Sequence, residues 1–242
     1  MRVLFRQPGE TGEITVCETA ELYSEKGRFR VLQFADGAVQ GAIDLDRPER
    51  IVLEYPQAIL HLMACGDPAY EDVFLIGHGI GTIAGHAAGK RVKSAELDGT
   101  IAELSRTYFG FRGDRVHIGD GRRLLERERA NAYDYIVVDA FTEKGTPAHL
   151  TSEEFFALAG GKLDADGAVI LNLAGKGADD PRIHAVYMSL GAVFAYTKAF
   201  ALPKDGAAGL QNILLMGSRR PIVYRARRMA GFAEIRIGAG LY

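Results

Sequence analysis

Residues 73–81 read Val73-Phe74-Leu75-Ile76-Gly77-His78-Gly79-Ile80-Gly81, a four-residue apolar run that gives way to a glycine at every second position. A short run that is apolar on both faces fits a strand buried inside a parallel sheet. The glycines that follow it, ahead of a small-residue helix reaching about Ala88, let backbone N–H groups and a helix start come close to a ligand. The next strand, Arg91 to Leu97, ends in Ser94-Ala95-Glu96-Leu97-Asp98. Glu96 stands nineteen residues after Gly77. An acid at that distance, on the end of the second strand, can grip ribose hydroxyls. The combination points to an adenosine-containing ligand, and these features alone leave a dinucleotide open.

Downstream the alternation of strand and helix continues. Asp98 is placed to cap a helix running to Phe109, and Asp114 to Ile118 is a third strand. Gly121 to Arg129 is read as a helix. Tyr133-Asp134-Tyr135-Ile136-Val137-Val138-Asp139 is a fourth strand, followed by a loop from Ala140 to Leu150. Thr151 and Glu154 have capping-box spacing ahead of the next helix. Ala168 to Leu173 is a fifth strand, Asp180 to Leu190 a helix, and two closing strands cover Ala192–Ala199 and Asn212–Met216. These elements predict a Rossmann-like, doubly wound, mostly parallel seven-stranded α/β sheet.

The first fifty residues differ. Ile14 to Glu18 and Arg28 to Phe34 are strand-like, and Ala35-Asp36-Gly37 is a turn signal leading to Ala38–Ile43. Ile51 to Ala64 then has helical periodicity, with Pro56 in its first turn. The expected division is a small N-terminal antiparallel β domain over 1–50 and a cofactor-binding domain over 51–242.

Composition narrows the function. The chain has 242 residues, 48% hydrophobic and 25% charged, with 29 Lys+Arg against 31 Asp+Glu. A net charge of −2 gives no electrostatic case for nucleic acid. No apolar run approaches the ~18 residues of a membrane span, so a cytoplasmic protein without a membrane partner is expected. Cys17 and Cys65 lack metal-ligand spacing and read as small buried hydrophobes; no metal is expected. Phe155-Phe156 and Tyr108-Phe109 read as core, and the arginines from Arg219 to Arg228 as a solvated face.

Two later acids extend the glycine-loop signal. Asp120, in Gly119-Asp120-Gly121, closes the third strand, where it can accept from an adenine amino group. Asp139 ends the fourth strand at the same edge. The alternative is that each acid merely caps the next helix or turn, but three of them and a glycine loop converging on one crevice favour a ligand.

The chain resembles the spermidine synthase family, the polyamine aminopropyltransferases, which share the class I fold of S-adenosylmethionine-dependent methyltransferases. Leu32 to Gln40 resembles the N-terminal hairpin whose glutamine, Gln40, faces the cofactor. Tyr55 and His61 fall at the spacing of two family residues on the following helix. Gly77, Gly79 and Gly81 match the glycine loop, Glu96 the ribose-binding acid, and Asp120 with Gly121 the adenine side. Val138-Asp139-Ala140-Phe141 and Pro147 to Phe156 resemble the catalytic loop and its helix. The resemblance implies Asp139 as base and Tyr55, His61 and His149 as substrate contacts. It also implies decarboxylated S-adenosylmethionine or S-adenosylmethionine as co-substrate, a small-molecule amine as acceptor, and a homo-oligomer, expected as a dimer.

Three departures bear on chemistry. Ile80 stands where the family usually has an aspartate for the aminopropyl ammonium, Thr142 where it usually has a second loop aspartate, and Pro56 and Gln57 where it usually has a His-Glu pair. Each lost charge-assisted contact weakens diamine binding by roughly 1.5–3 kcal/mol. On the resemblance, aminopropyl transfer is the first expectation, with an acceptor other than putrescine left open. Methyl transfer is the second, because Ile80 suits a methionine tail whose carboxylate an aspartate would repel. A non-catalytic adenosyl-ligand protein is the third. His78, in the glycine loop, is a further candidate for touching the ligand.

Overall fold

The alternation of buried residues along the strands sets up two layers. A computed structural model describes residues 1–9, 12–35, 37–87, 89–142, 145–203 and 209–238. In β5 (Asp72–Ile76), Phe74 and Ile76 enter the core on one face, and Val73 and Leu75 the core on the other. β8 (Tyr133–Val138) does the same with Ile136 and Val138 against Tyr135 and Val137. A strand buried on both sides has no polar face to show water, which is why these runs are continuously apolar.

Around β5 and β8 lie β6 (Arg91–Glu96), β7 (Val116–Ile118) and β9 (Leu163–Gly175), all parallel. β11 (Gln211–Ser218) pairs antiparallel with β9, β10 (Tyr196–Ala201) with β11, and β12 (Ala233–Ile235) with β10. The order is β12-β10-β11-β9-β8-β5-β6-β7. Among the described residues the sheet thus has eight strands, not the seven expected. β12 is three residues long, and its place at the edge comes from pairing with β10, not from any apolar run of its own.

Helices α1 (Glu54–Gly66), α2 (Thr82–His86), α3 (Gly99–Phe109), α4 (Gly121–Glu126), α5 (Glu153–Lys162) and α6 (Pro181–Val193) connect the strands. Their starts follow from side-chain caps. Asp98 accepts from Thr100 N at 2.8 Å, Asp120 from Arg123 N at 2.9 Å and Asp180 from Arg182 N at 2.9 Å. At α5 the cap is Ser152, accepting from Phe155 N, while Thr151 turns back to Ala148 O. The expected Thr151 box is displaced by one residue, because a short 3₁₀ turn over Ala148–Leu150 uses the threonine first. α4 stops at Glu126, α2 at His86, and α6 runs on through Val193, so β10 starts later than expected. Ala88 lies outside the described residues. Among the described residues, no helix is long and apolar enough to cross a membrane.

The N-terminal part is a four-stranded antiparallel sheet in the order β1 (Arg2–Gly9), β2 (Gly12–Leu22), β3 (Glu25–Gln33), β4 (Val39–Asp44). β1 was not anticipated. It exposes Val3 and carries arginines at 2 and 6, so its alternation is poor, and pairing with β2 forms it. The turn signal at 35–37 does join β3 to β4, though Asp36 lies outside the described residues. One face of this sheet packs Ile14, Val16 and Leu32 against Ile101, Leu104 and Phe109 of α3 and against Ile80 of the glycine loop. The sheet therefore roofs the carboxyl edge of the large sheet.

Candidate active site

The parallel strands leave their carboxyl ends on one edge, and strand order reverses between β5's two neighbours, β6 and β8. Loops diverge at such a point and open a crevice. A cavity of about 710 Å³ lies there, between the large sheet and the N-terminal roof. That volume is in the range of small-molecule sites.

On one side are the glycine loop and the ends of β6 and β7. Gly77 follows β5 with φ +93°, and a Cβ on it would come within 1.9 Å of Asp139 O. Glycine is thus required for β5 and β8 to lie close, and the approach is sealed by Asp139 N donating to Ile76 O at 2.8 Å. Gly79 lines the cavity with φ +54° and open space around it. Gly81 does not line it. It turns the chain into α2 with φ +86°, packed under Phe111. Gly121 lines the cavity, and its lack of a side chain admits Ile76.

Glu96 is 7% exposed and reaches the cavity wall. Its Oε2 accepts from His78 N at 2.9 Å and Gly79 N at 3.2 Å, and its Oε1 from Asp98 N at 3.1 Å. Burial raises its carboxyl above the usual range against the pull of those N–H groups. Glu96 therefore shapes the glycine loop while keeping lone pairs toward the cavity, since a carboxylate has about four acceptor sites. Asp120 caps α4 and also meets His149 Nε2 at 2.9 Å. Burial pushes its carboxyl up, but the Arg123 N–H and the His149 contacts outweigh that and hold it below the usual range. His149 lines the cavity, tied through its carbonyl to Arg122.

On the other side, past β8, lies Asp139. Asn172 Nδ2 donates to its Oδ1 at 2.9 Å, Asn212 Nδ2 donates to Asn172 Oδ1 at 3.1 Å, and the Tyr55 hydroxyl donates to the same carboxylate. Burial raises the Asp139 carboxyl to about 6, with the Asn172 and Tyr55 hydrogen bonds pulling it down and Glu96 adding to the rise. Tyr55 is in turn pushed well above the phenol range by burial and by Asp139. Gln40, Thr142, Tyr23 and Arg182 complete this part of the wall.

The structure thus brings together Gln40, Tyr55, Gly77, Gly79, Glu96, Asp120, Gly121, Asp139 and His149. It does not bring His61, whose Nε2 accepts from Arg225 N at 3.0 Å, so that it holds the C-terminal segment against α1. His78 also turns away. Its ring is 4% exposed, bonded to Ser105 Oγ at 3.1 Å and set edge-on to Phe111. Burial, with Arg106 nearby, lowers its imidazole to about 4. Ile80 is 6% exposed, in the core under the roof, and leaves no side chain on the cavity wall. Sequence reasoning missed Asn172, Asn212 and Tyr23. An asparagine inside the apolar run Val169–Leu173 was the available signal, since buried polar residues need partners. Among the described residues, no cluster of three or more His, Cys, Asp or Glu could hold a metal.

The fold defines a class: an α/β protein with the class I methyltransferase fold, and with a cavity at the switch point of its sheet. Within that class the chain belongs to the spermine/spermidine synthase family, whose domain matches residues 52–203. A polyamine aminopropyltransferase of Neisseria meningitidis is 27% identical over 157 residues, covering 62% of this chain and 59% of that protein. Putrescine N-methyltransferase 2 of Nicotiana attenuata is 25% identical over 178 residues, covering 67% of this chain and 47% of that protein. The matches thus span about half to three-fifths of the length of these relatives. Among solved structures, a probable spermidine synthase from Corynebacterium glutamicum superimposes with a TM-score of 0.74 at 24% identity, covering 91% of this chain and 81% of that one. A spermidine synthase in complex with the transition state analogue AdoDATO gives 0.69 at 20% identity, over 94% and 78% of the two chains. At these identities the structures speak for the fold.

Proposed function

We propose that this chain transfers the aminopropyl group of decarboxylated S-adenosylmethionine to an amine acceptor, with Asp139 as the proton acceptor. The observation that carries this reading is Asp139 itself: a carboxyl raised to about 6 by burial, fixed by Tyr55 and Asn172, on the wall of a cavity that Glu96 also lines. Free alkylamines are mostly protonated near neutrality, as a lysine amine is. An Asp139 carboxylate takes the proton, and the freed nitrogen lone pair attacks the methylene carbon next to the sulfonium. The carbon–sulfur bond breaks, its electrons go to sulfur, and methylthioadenosine leaves. A carboxyl raised toward neutrality is a better matched base than an ordinary aspartate. Glu96, Gly77, Gly79 and Asp120 fit the nucleoside end, where hydroxyl and amino donors need acceptors.

The fit supports an adenosyl ligand, because the cavity pairs acidic acceptors at the β6 and β7 ends with an apolar wall of Ile76, Leu97 and Ile101. Methyl transfer is the second reading. It is favoured by the relative named as a putrescine N-methyltransferase. Co-product analysis separates the two. Methylthioadenosine from decarboxylated S-adenosylmethionine is the expected result across a panel of amines. S-adenosylhomocysteine from S-adenosylmethionine would favour the second reading.

A further inference from the structure

The hairpin of β2 and β3 ends on Tyr23-Ser24, and both residues have left-handed backbone, φ +49° and +66°. Leu22 pairs with Glu25, so the turn has two residues. Such turns favour Asn-Gly, because a residue with a Cβ is strained at positive φ, a bulky one most of all. Strained residues gather at functional sites. Tyr23 is 64% exposed, yet it lines the cavity. Tyr55 and Asp139 line the same cavity.

The turn is also anchored. Arg50 Nη2 bonds Glu25 Oε2 at 2.6 Å, Arg50 Nη1 bonds Glu25 Oε1, and the same guanidinium reaches Asp44 Oδ2 at 3.3 Å. Leu22 packs on Phe29, Val31 and Leu53, in the cluster that also takes Tyr55. A fixed hairpin end therefore brings an exposed aromatic residue to the wall of the cavity that Tyr55 and Asp139 also line. At the β8–β9 end, Asp139 is the one carboxylate among the described residues lining the cavity.

We propose that Tyr23 is an acceptor-binding residue, whose ring receives the distal ammonium of the acceptor while the reacting nitrogen lies at Asp139. This rests on the reading of the cavity as an amine site. A cation over a tyrosine face is attracted by the ring quadrupole. The ring here supplies what a carboxylate would otherwise supply, without adding a second negative charge beside Asp139.

The test uses Tyr23→Gly, which removes the ring and suits the backbone, and Tyr23→Phe, which keeps the ring. Binding of 1,4-diaminobutane and of n-butylamine is measured by calorimetry with methylthioadenosine present. Tyr23→Gly is expected to weaken the diamine roughly three- to tenfold and leave n-butylamine unchanged, with Tyr23→Phe within about twofold of the native chain. Its thermal midpoint is expected to be equal or higher. Native-like diamine affinity in Tyr23→Gly, equal loss of both amines, or no binding of either by the native chain overturns the proposal. A native chain that binds the diamine through Tyr23 but releases no methylthioadenosine in turnover would instead overturn aminopropyl transfer and leave Tyr23 in place.

Discussion

Asp139 has to be ionised to accept a proton, so the rate of transfer is expected to rise with pH through about 6 and level off above it. Its effect on stability runs the other way. Because the folded-state value lies above the ordinary 3.8, the folded chain keeps a proton that the unfolded chain loses. The stabilising contribution is complete below about 4 and is lost as pH rises through about 6. Asp139→Asn removes that loss, and Tyr55 can turn from donor to acceptor toward the new amide. The variant is expected to abolish transfer, retain nucleoside binding and gain up to about 3 kcal/mol over the native chain at pH 8. The gain should vanish near pH 4, and urea titrations at the two pH values check it. Glu96 presents the opposite case. Glu96→Ala leaves three backbone N–H groups without their acceptor, so a loss of about 1–3 kcal/mol is expected together with loss of nucleoside binding. Unchanged calorimetric affinity for methylthioadenosine would remove Glu96 from the site. That Glu96 and Asp139 sit at strand ends was legible in the sequence, because strand-end position depends only on local apolar runs. Their partners were not: Asn172 and Asn212 lie 33 and 40 residues further along from the groups they meet.

The glycine loop behaves as an element and not as a set of equivalent glycines. Gly77 is where β5 and β8 touch, so Gly77→Ala must part the strands as well as strain the backbone. A cost of at least about 3 kcal/mol is expected. Gly79 has a comparable left-handed backbone but open space, and Gly79→Ala is expected to cost about 1–2 kcal/mol. Thermal midpoints of the pair test whether close approach, and not turn geometry alone, demands the glycine. The sequence pattern marked both positions alike. The difference arises because Asp139 O, sixty-two residues downstream, is the atom Gly77 must admit. The helices divide in the same way. Asp98 and Asp120 were identifiable as caps from their place ahead of a helical stretch. Ser152 replaced Thr151 because the turn before α5 was invisible to periodicity.

At the scale of the molecule, the N-terminal sheet and the large sheet share a core across α3 and the glycine loop. Ile80 belongs to that shared core, where its side chain fills the space that Gly41 leaves on β4. Placing an aspartate at 80 therefore does not add an acid to the cavity. Ile80→Asp is expected to lose at least about 3 kcal/mol by burying an unpaired carboxyl, and to leave diamine affinity no better than in the native chain. Tighter diamine binding in a folded Ile80→Asp protein would show that the loop can turn this side chain to the cavity.

By itself, the sequence determined the layers of the fold and the acids along its ligand edge, because burial on two faces and strand-end position leave their mark within a few residues. It also carried the resemblance to the family that residues 52–203 match. Tertiary structure decided which of the candidate side chains meet. His61 and His78 went to packing and hydrogen bonds, Ile80 to the roof, and Tyr23, at the tip of the β2–β3 hairpin, to the cavity wall. The reason is physical: a side chain's direction at a loop or a helix face is set by the partners that bury it, and those partners are distant in the chain.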